Sequence, residues 1–187
     1  MSVTIKGLPA YVEYISPTEI NVLAPDDPTV GAVQVQVTTA EGLSNSLTAQ
    51  KQQFSPAFFT IYNGVYVAAL HANYTLLGKP GLFAGVATQP AKPGEIILLY
   101  ATGFGLTNPP LPSDQLVTTP AVLAGGVTAV QVTIGGVSAP VAWAGLVGAG
   151  LYQFNVTVPN LPDGDAPVVA TIGGVQSPAG VSITVQQ

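Results

Sequence analysis

The sequence predicts an all-β chain made of tandem sandwiches. Three observations carry this: short runs in which apolar and polar residues alternate, turn residues at close intervals, and one group of strand-like segments that occurs twice.

Taken in order, Val3–Ile5 is the first strand-like run, and Tyr11–Ile15 and Glu19–Leu23 follow it across the break at Ser16-Pro17. Beyond Ala24-Pro25-Asp26-Asp27-Pro28, the segment Ala32–Thr38 alternates strictly, which puts Val33, Val35 and Val37 on one side of a half-buried sheet. Leu47–Lys51, Phe58–Ile61, Val65–Leu70 and Glu95–Thr102 read as strands. Within the last, Ile96–Ala101 is the longest apolar run, far short of the ~18 residues of a spanning helix. Val130–Ile134, Ala139–Trp143, Phe154–Val158, Val168–Ile172 and Val181–Val185 complete the set, separated by Gly135-Gly136, Pro162-Asp163-Gly164 and Gly173-Gly174. No segment sustains the 3.6-residue period of an amphipathic helix.

Composition agrees. Of 187 residues, 48% are hydrophobic, enough for a core, while only 7% are charged, so Thr, Ser, Gln and Asn must cover the surface. Sheets tolerate such a surface better than helices do. The 21 Gly and 17 Pro supply the turns, and the apolar content argues against disorder. The net charge of −5, with four cationic side chains in all, cannot assemble the basic face that nucleic acid or an anionic membrane requires. Cysteine is absent, which removes disulfides, thiolate metal sites and Cys nucleophiles. Met1-Ser2 leads directly into a strand with no signal peptide, as expected of a segment of a longer exported protein.

The repeat is the most informative property. Val3-Thr4-Ile5-Lys6-Gly7 matches Val132-Thr133-Ile134-Gly135-Gly136, an offset of 129 from Thr4 to Thr133. Ile20-Asn21-Val22-Leu23-Ala24-Pro25 matches Phe154-Asn155-Val156-Thr157-Val158-Pro159, an offset of 134 from Asn21 to Asn155, the difference being assigned to a longer loop at Gly145–Gly150. The expected units are immunoglobulin-like sandwiches: residues 1–60 a partial repeat, 61–92 a connecting β-hairpin region, and 93–187 a complete repeat. The second repeat opens with Pro93–Gly105, for which the first has no counterpart. The first sandwich therefore lacks its first strand and exposes an edge. Either residues 61–92 cover that edge or it pairs with another chain, self-association included.

These segments resemble the Solibacter-type C-terminal domain of exported acidobacterial proteins. The resemblance rests on Ile20-Asn21-Val22 with Pro25, Phe54–Thr60, Ala68–His71, Pro90–Gly94, Leu99-Tyr100-Ala101-Thr102-Gly103-Phe104-Gly105, and Ala144-Gly145 with Gly150–Val156. Ser16-Pro17-Thr18-Glu19 stands where the family commonly has a Gly-Gln pair. The resemblance implies a C-terminal module of large secreted proteins and carries no activity and no catalytic residues. A weaker similarity links the sheets to the IPT/TIG immunoglobulin-like domains of surface receptors and polysaccharide enzymes.

Reactive chemistry is sparse. His71 is the sole histidine, and no Gly-x-Ser-x-Gly elbow accompanies it. Asp26-Asp27 and Asp163-Gly164-Asp165 follow the equivalent prolines of the two repeats. They are the candidate calcium ligands, although Asp beside Gly or Pro is also ordinary turn chemistry. No other cofactor is expected. Spacing neither identifies nor excludes a glycosidase pair among the acids, Asp114 included, since such partners meet only in the fold, but most of them sit in turns. Tyr62, Tyr66 and Tyr74 are the candidate ligand-binding residues, because the first two flank Asn63-Gly64 and rings at a turn can stack on sugars. The expected function is a non-enzymatic extracellular interaction or spacer module, its partner a protein or polysaccharide at the cell surface. The alternatives are a carbohydrate-binding module that tethers an upstream domain and a C-terminal sorting or assembly domain.

Overall fold

Turn chemistry sets the first contacts. Lys6-Gly7 and Gly135-Gly136 both have two successive positive φ angles (55° and 76°; 59° and 77°), the requirement of a type I′ hairpin whose twist matches its strands. Lys6-Gly7 joins Ser2–Ile5 to Leu8–Ile15, and Gly135-Gly136 joins Val130–Ile134 to Val137–Ala139.

The computed structural model describes residues 1–111 and 117–187; Asp114 lies outside these. Among the described residues the chain is all-β, with one 3-10 turn at Gly126–Ala129 and no α-helix. The first repeat contains β1 (Ser2–Ile5), β2 (Leu8–Ile15), β3 (Ile20–Leu23), β4 (Gly31–Thr39), β5 (Gly42–Leu43) and β6 (Leu47–Lys51). Four short strands follow: β7 (Ala57–Phe58), β8 (Thr60–Ile61), β9 (Tyr66–Val67) and β10 (Ala69–His71). Then come β11 (Ile96–Thr102), β12 (Thr107–Asn108), β13 (Ala121–Leu123), β14 (Val130–Ile134), β15 (Val137–Ala139) and β16 (Val141–Gly148). The chain closes with β17 (Leu151–Thr157), β18 (Gly164–Ile172), β19 (Val175–Gln176) and β20 (Ser182–Val185).

These strands form three sheets. The first runs β3-β2-β1-β4-β5, with β6 also on β4. The second runs β10-β11-β17-β16-β13-β12 with β7 on β11, and the third runs β15-β14-β18-β20-β9-β8 with β19 on β18. A single apolar core joins the second and third sheets, centred on Ile97, Leu99, Phe104, Ile134, Phe154, Val156, Val168 and Ile183. Phe104 and Phe154 meet there with ring centroids 4.5 Å apart.

The repeat is visible in the ladders themselves. Val3 faces Val37 and Ile5 faces Val35 in the first repeat; Val132 faces Ala170 and Ile134 faces Val168 in the second. The Ser44 hydroxyl accepts from the Val37 amide as the Ser177 hydroxyl accepts from the Ala170 amide. Even the irregularity recurs. The β2–β3 register shifts between Val12 and Tyr14, and the β16–β17 register shifts between Val141 and Trp143. A bulge bends its strand and re-aims the residues beyond it. Here it falls within the β2–β3 pairing, which begins at Tyr11, one residue beyond the last partner of β1, Ala10.

Two expectations change. Gly145–Gly150 is not a loop, because β16 continues to Gly148. Gly145 stands there because a Cβ would come 2.3 Å from the Ala121 carbonyl oxygen, so the glycine marks a close strand approach rather than a break. The two acidic segments are not equivalent either. Gly31 pairs with Lys51 as Gly164 pairs with Val185, which aligns Asp165 with Ala32 and places it inside β18.

Residues 57–71 join the second and third sheets. β10 pairs with β11, β7 with β11, and β9 runs parallel to β20. The junction is anchored: the Ser55 amide donates to the Gly103 carbonyl at 2.9 Å, and the Phe54 ring lies so close to Gly105 and Gly173 that a Cβ on either would meet it at 2.7 or 2.4 Å.

Candidate functional site

The three candidate tyrosines do not form one platform. The turn Tyr62-Asn63-Gly64 has three successive positive φ angles (52°, 59° and 81°), an uncommon backbone for a tyrosine. It lays the Tyr62 ring 6.2 Å from both Tyr66 and Phe83. Tyr62 remains 51% exposed and Tyr74 72%, whereas Tyr66 is 6% exposed. Tyr66 is therefore a core residue. β9 carries it under the parallel contact with Ser182, Lys79 Nζ lies 5.6 Å from its ring centroid, and its hydroxyl donates to Asp165 Oδ2 at 3.0 Å. Among the described residues Tyr74 has no ring contact with either partner; the Tyr100 hydroxyl is shifted up by burial first and then by Tyr74.

Tyr66 belongs to a polar cluster that sequence reasoning did not find. Asp165 Oδ2 also accepts from Lys79 at 2.7 Å, and Oδ1 accepts from the Thr184 hydroxyl at 2.8 Å. Burial alone would raise the Asp165 carboxyl, but donation from Lys79, Thr184 and Tyr66 outweighs it and holds the group below the ordinary range. The same contact raises the Lys79 ammonium. Asp163, two residues earlier, accepts instead from the Gln187 amide at 2.9 Å.

Asp27 is bound in the same fashion. The Thr29 hydroxyl and amide donate to it at 2.6 and 3.1 Å, Lys6 lies at 3.1 Å and Lys51 at 3.6 Å. Thr29 first, and then the lysines, hold this carboxyl far below the ordinary range. Asp26 is exposed, near enough to Tyr152 to add to the burial that pushes that phenol up to about 12. Three of the four lysines thus neutralise Asp27 or Asp165. Among the described residues no three His, Cys, Asp or Glu side chains converge as a metal site would need. The scarcity of lysine was the one available signal, since four cations among nine acids are seldom idle.

His71 ends β10 and is nearly buried. Its Nδ1 lies 3.2 Å from Glu95 Oε1 and its Nε2 3.1 Å from the Gln89 carbonyl. Both partners offer oxygens, so His71 is held at both of its ring nitrogens. An adjoining cavity of about 360 Å³ is lined by Asn73, Thr75, Gln89, Lys92 and Glu95. The Thr75 hydroxyl there donates to Asn73 Oδ1 at 2.7 Å and not to the histidine. With both ring nitrogens engaged, His71 ties the end of β10 to Gln89 and Glu95. Gly103-Phe104-Gly105 is structural too: left-handed glycines (φ 79° and 87°) turn the chain so that Phe104 enters the core.

No family model matches the chain, and no curated protein or solved structure matches it.

Proposed function

We propose that the chain is a non-enzymatic interaction or spacer module, displayed outside the cell at the C-terminal end of a larger exported bacterial protein. One observation supports the reading above the others. The ladders repeat rung for rung, and the clusters at Asp27, Asp165 and His71 close on their own neighbours instead of converging on a shared cleft. Few charges, a surface of Thr and Gln, and the resemblance to domains of exported proteins point the same way.

The test is display. An antibody raised against the purified chain should label intact source cells, and protease added outside should remove the signal. Labelling only after permeabilisation overturns the reading.

A second reading has its own support. Tyr62 leaves half of its surface open while braced by Phe83, the arrangement of a ring that can stack on a sugar. Affinity electrophoresis through soluble polysaccharides separates the two. Retardation that Tyr62→Ala abolishes favours a carbohydrate-binding module, and unchanged migration in every gel favours the spacer.

A further inference from the structure

We propose that the outer face of the second sheet is a stacking platform for a neutral, ribbon-like polysaccharide of equatorially linked pyranoses. This names the partner chemistry of the interaction module, rests on that reading, and places the sugar away from Tyr62.

Register sets the face. Ile97, Leu99 and Ala101 of β11 point into the core, so Ile96, Leu98 and Tyr100 point outward. Two outward rows cross the sheet: Leu98, Asn155 and Trp143 stand opposite one another in the first, and Tyr100, Gln153 and Gly145 in the second. Phe59 extends the second row. Its amide donates to the Tyr100 carbonyl at 3.0 Å, and it is exposed where its neighbour Phe58 is buried. Gly145 has a second use here. A Cβ on it would meet the Trp143 ring at 2.8 Å, so the indole lies across the glycine and enters that row. Tyr100 and Trp143 are half-buried, which braces each ring and leaves part of it open. Two strand spacings separate their strands, roughly 10 Å, a span suited to a pair of linked pyranose rings.

The polar groups between the rings suit hydroxyls. The Gln153 amide donates to Asn155 Oδ1 at 2.8 Å, which leaves the Gln153 carbonyl oxygen as an acceptor and the Asn155 NH₂ as a donor. Among the described residues neither side chain makes another hydrogen bond. Rings pack on the C–H faces of a sugar while amides bind its hydroxyls. An apolar protein surface laid here would bury that amide pair with half of its hydrogen bonds unmade. β11, β13, β16 and β17 contain no charged residue, so the face matches a neutral chain and not an acidic one. At the Ile96 end it opens on the cavity of about 360 Å³ beside Asn73 and Gln89, so amides border it there too.

The probe is hydroxyethyl cellulose, neutral and soluble, cast into native gels at rising concentration, with carboxymethyl cellulose as its acidic counterpart. The whole chain should be retarded by the first at least as strongly as by the second. Trp143→Ala should weaken the affinity at least about tenfold, or 1.4 kcal/mol. Gln153→Ala with Asn155→Ala should weaken it about threefold or more, and this pair keeps the test decisive if Trp143→Ala fails to fold. Tyr62→Ala and Leu43→Ala, outside this face, should leave retardation unchanged. Absence of retardation, retardation indifferent to Trp143, Gln153 and Asn155, or retardation lost only with Tyr62 overturns the proposal. Stronger retardation by carboxymethyl cellulose overturns it as well. So does a concentration-dependent dimer that Trp143→Ala dissolves, since a second copy then covers the face. Retardation of a chain that is never displayed on cells would overturn the localisation alone, and display without retardation would overturn the platform alone.

Discussion

Val35 and Val168 occupy the same rung of the same ladder, opposite Ile5 and Ile134, yet Val35 is half-buried and Val168 has no exposed surface. The difference lies in what stands across from them. β11 and the strands beside it complete a second layer over Val168, whereas among the described residues β4 carries Val35 in a sheet whose residues lie outside that core. Hydrogen bonding specifies the ladder equally well in both places. The opposing layer decides how much stability the ladder yields.

Substitutions break this comparison at points of decreasing force. The largest effect is expected at Gly103, whose left-handed backbone would place a Cβ 1.9 Å from the Ser55 carbonyl oxygen. Gly103→Ala should lower the unfolding free energy by about 3 kcal/mol or more, read from urea denaturation. Gly7→Ala, in the first hairpin with open space around it, should cost only the ~1–2 kcal/mol of an L-residue in that conformation. Equal costs would mean that the junction yields freely.

Next come the matched valines. Val168→Ala should cost about 2–3 kcal/mol, from two lost methyl groups and the void they leave, and Val35→Ala less than about 1 kcal/mol. Native-state hydrogen exchange assigns each loss to its own sheet, and a reversal of the order would refute the unequal layering.

The smallest effect is in pH dependence. Asp27 and Asp165 have lowered pKa values, so their stabilisation is complete above the ordinary carboxylate value of 3.8 and fades as pH falls below it. Both repeats should therefore loosen in acid, and Asp27→Asn should remove the acid response of the first sheet alone. Tyr152 shifts the other way, raised by burial. Its contribution holds below the ordinary value of 10.0 and is lost as pH climbs towards about 12. Urea midpoints followed through that range should decline for the second repeat, and Tyr152→Phe should flatten the decline.

Much of the fold is legible because a period of two is a local signal. Leu47–Lys51 and Val130–Ile134 are strands with the boundaries their alternation suggests, and the matching pentapeptides announce the shared ladders. β12 and β13 are not legible, being two- and three-residue strands in a proline-rich stretch too short to show a period. β16 reads short because Gly145 imitates a turn signal while serving a close approach. The candidate sites are harder still. Tyr66 looks like the far side of an exposed turn, and its burial depends on Ser182, Lys79 and Asp165, which no local pattern brings near.

Phe54 gives the joint between the repeats a mechanical character. Its ring sits in a socket made by two glycines from different sheets, Gly105 after β11 and Gly173 at the β18–β19 turn, with the Ser55–Gly103 hydrogen bond beside it. A pull arriving from the first repeat is met at that socket and divided between both layers, so no lone terminal strand is peeled away. Tension entering through Phe54 and Ser55 would load both layers at once, ahead of any edge strand.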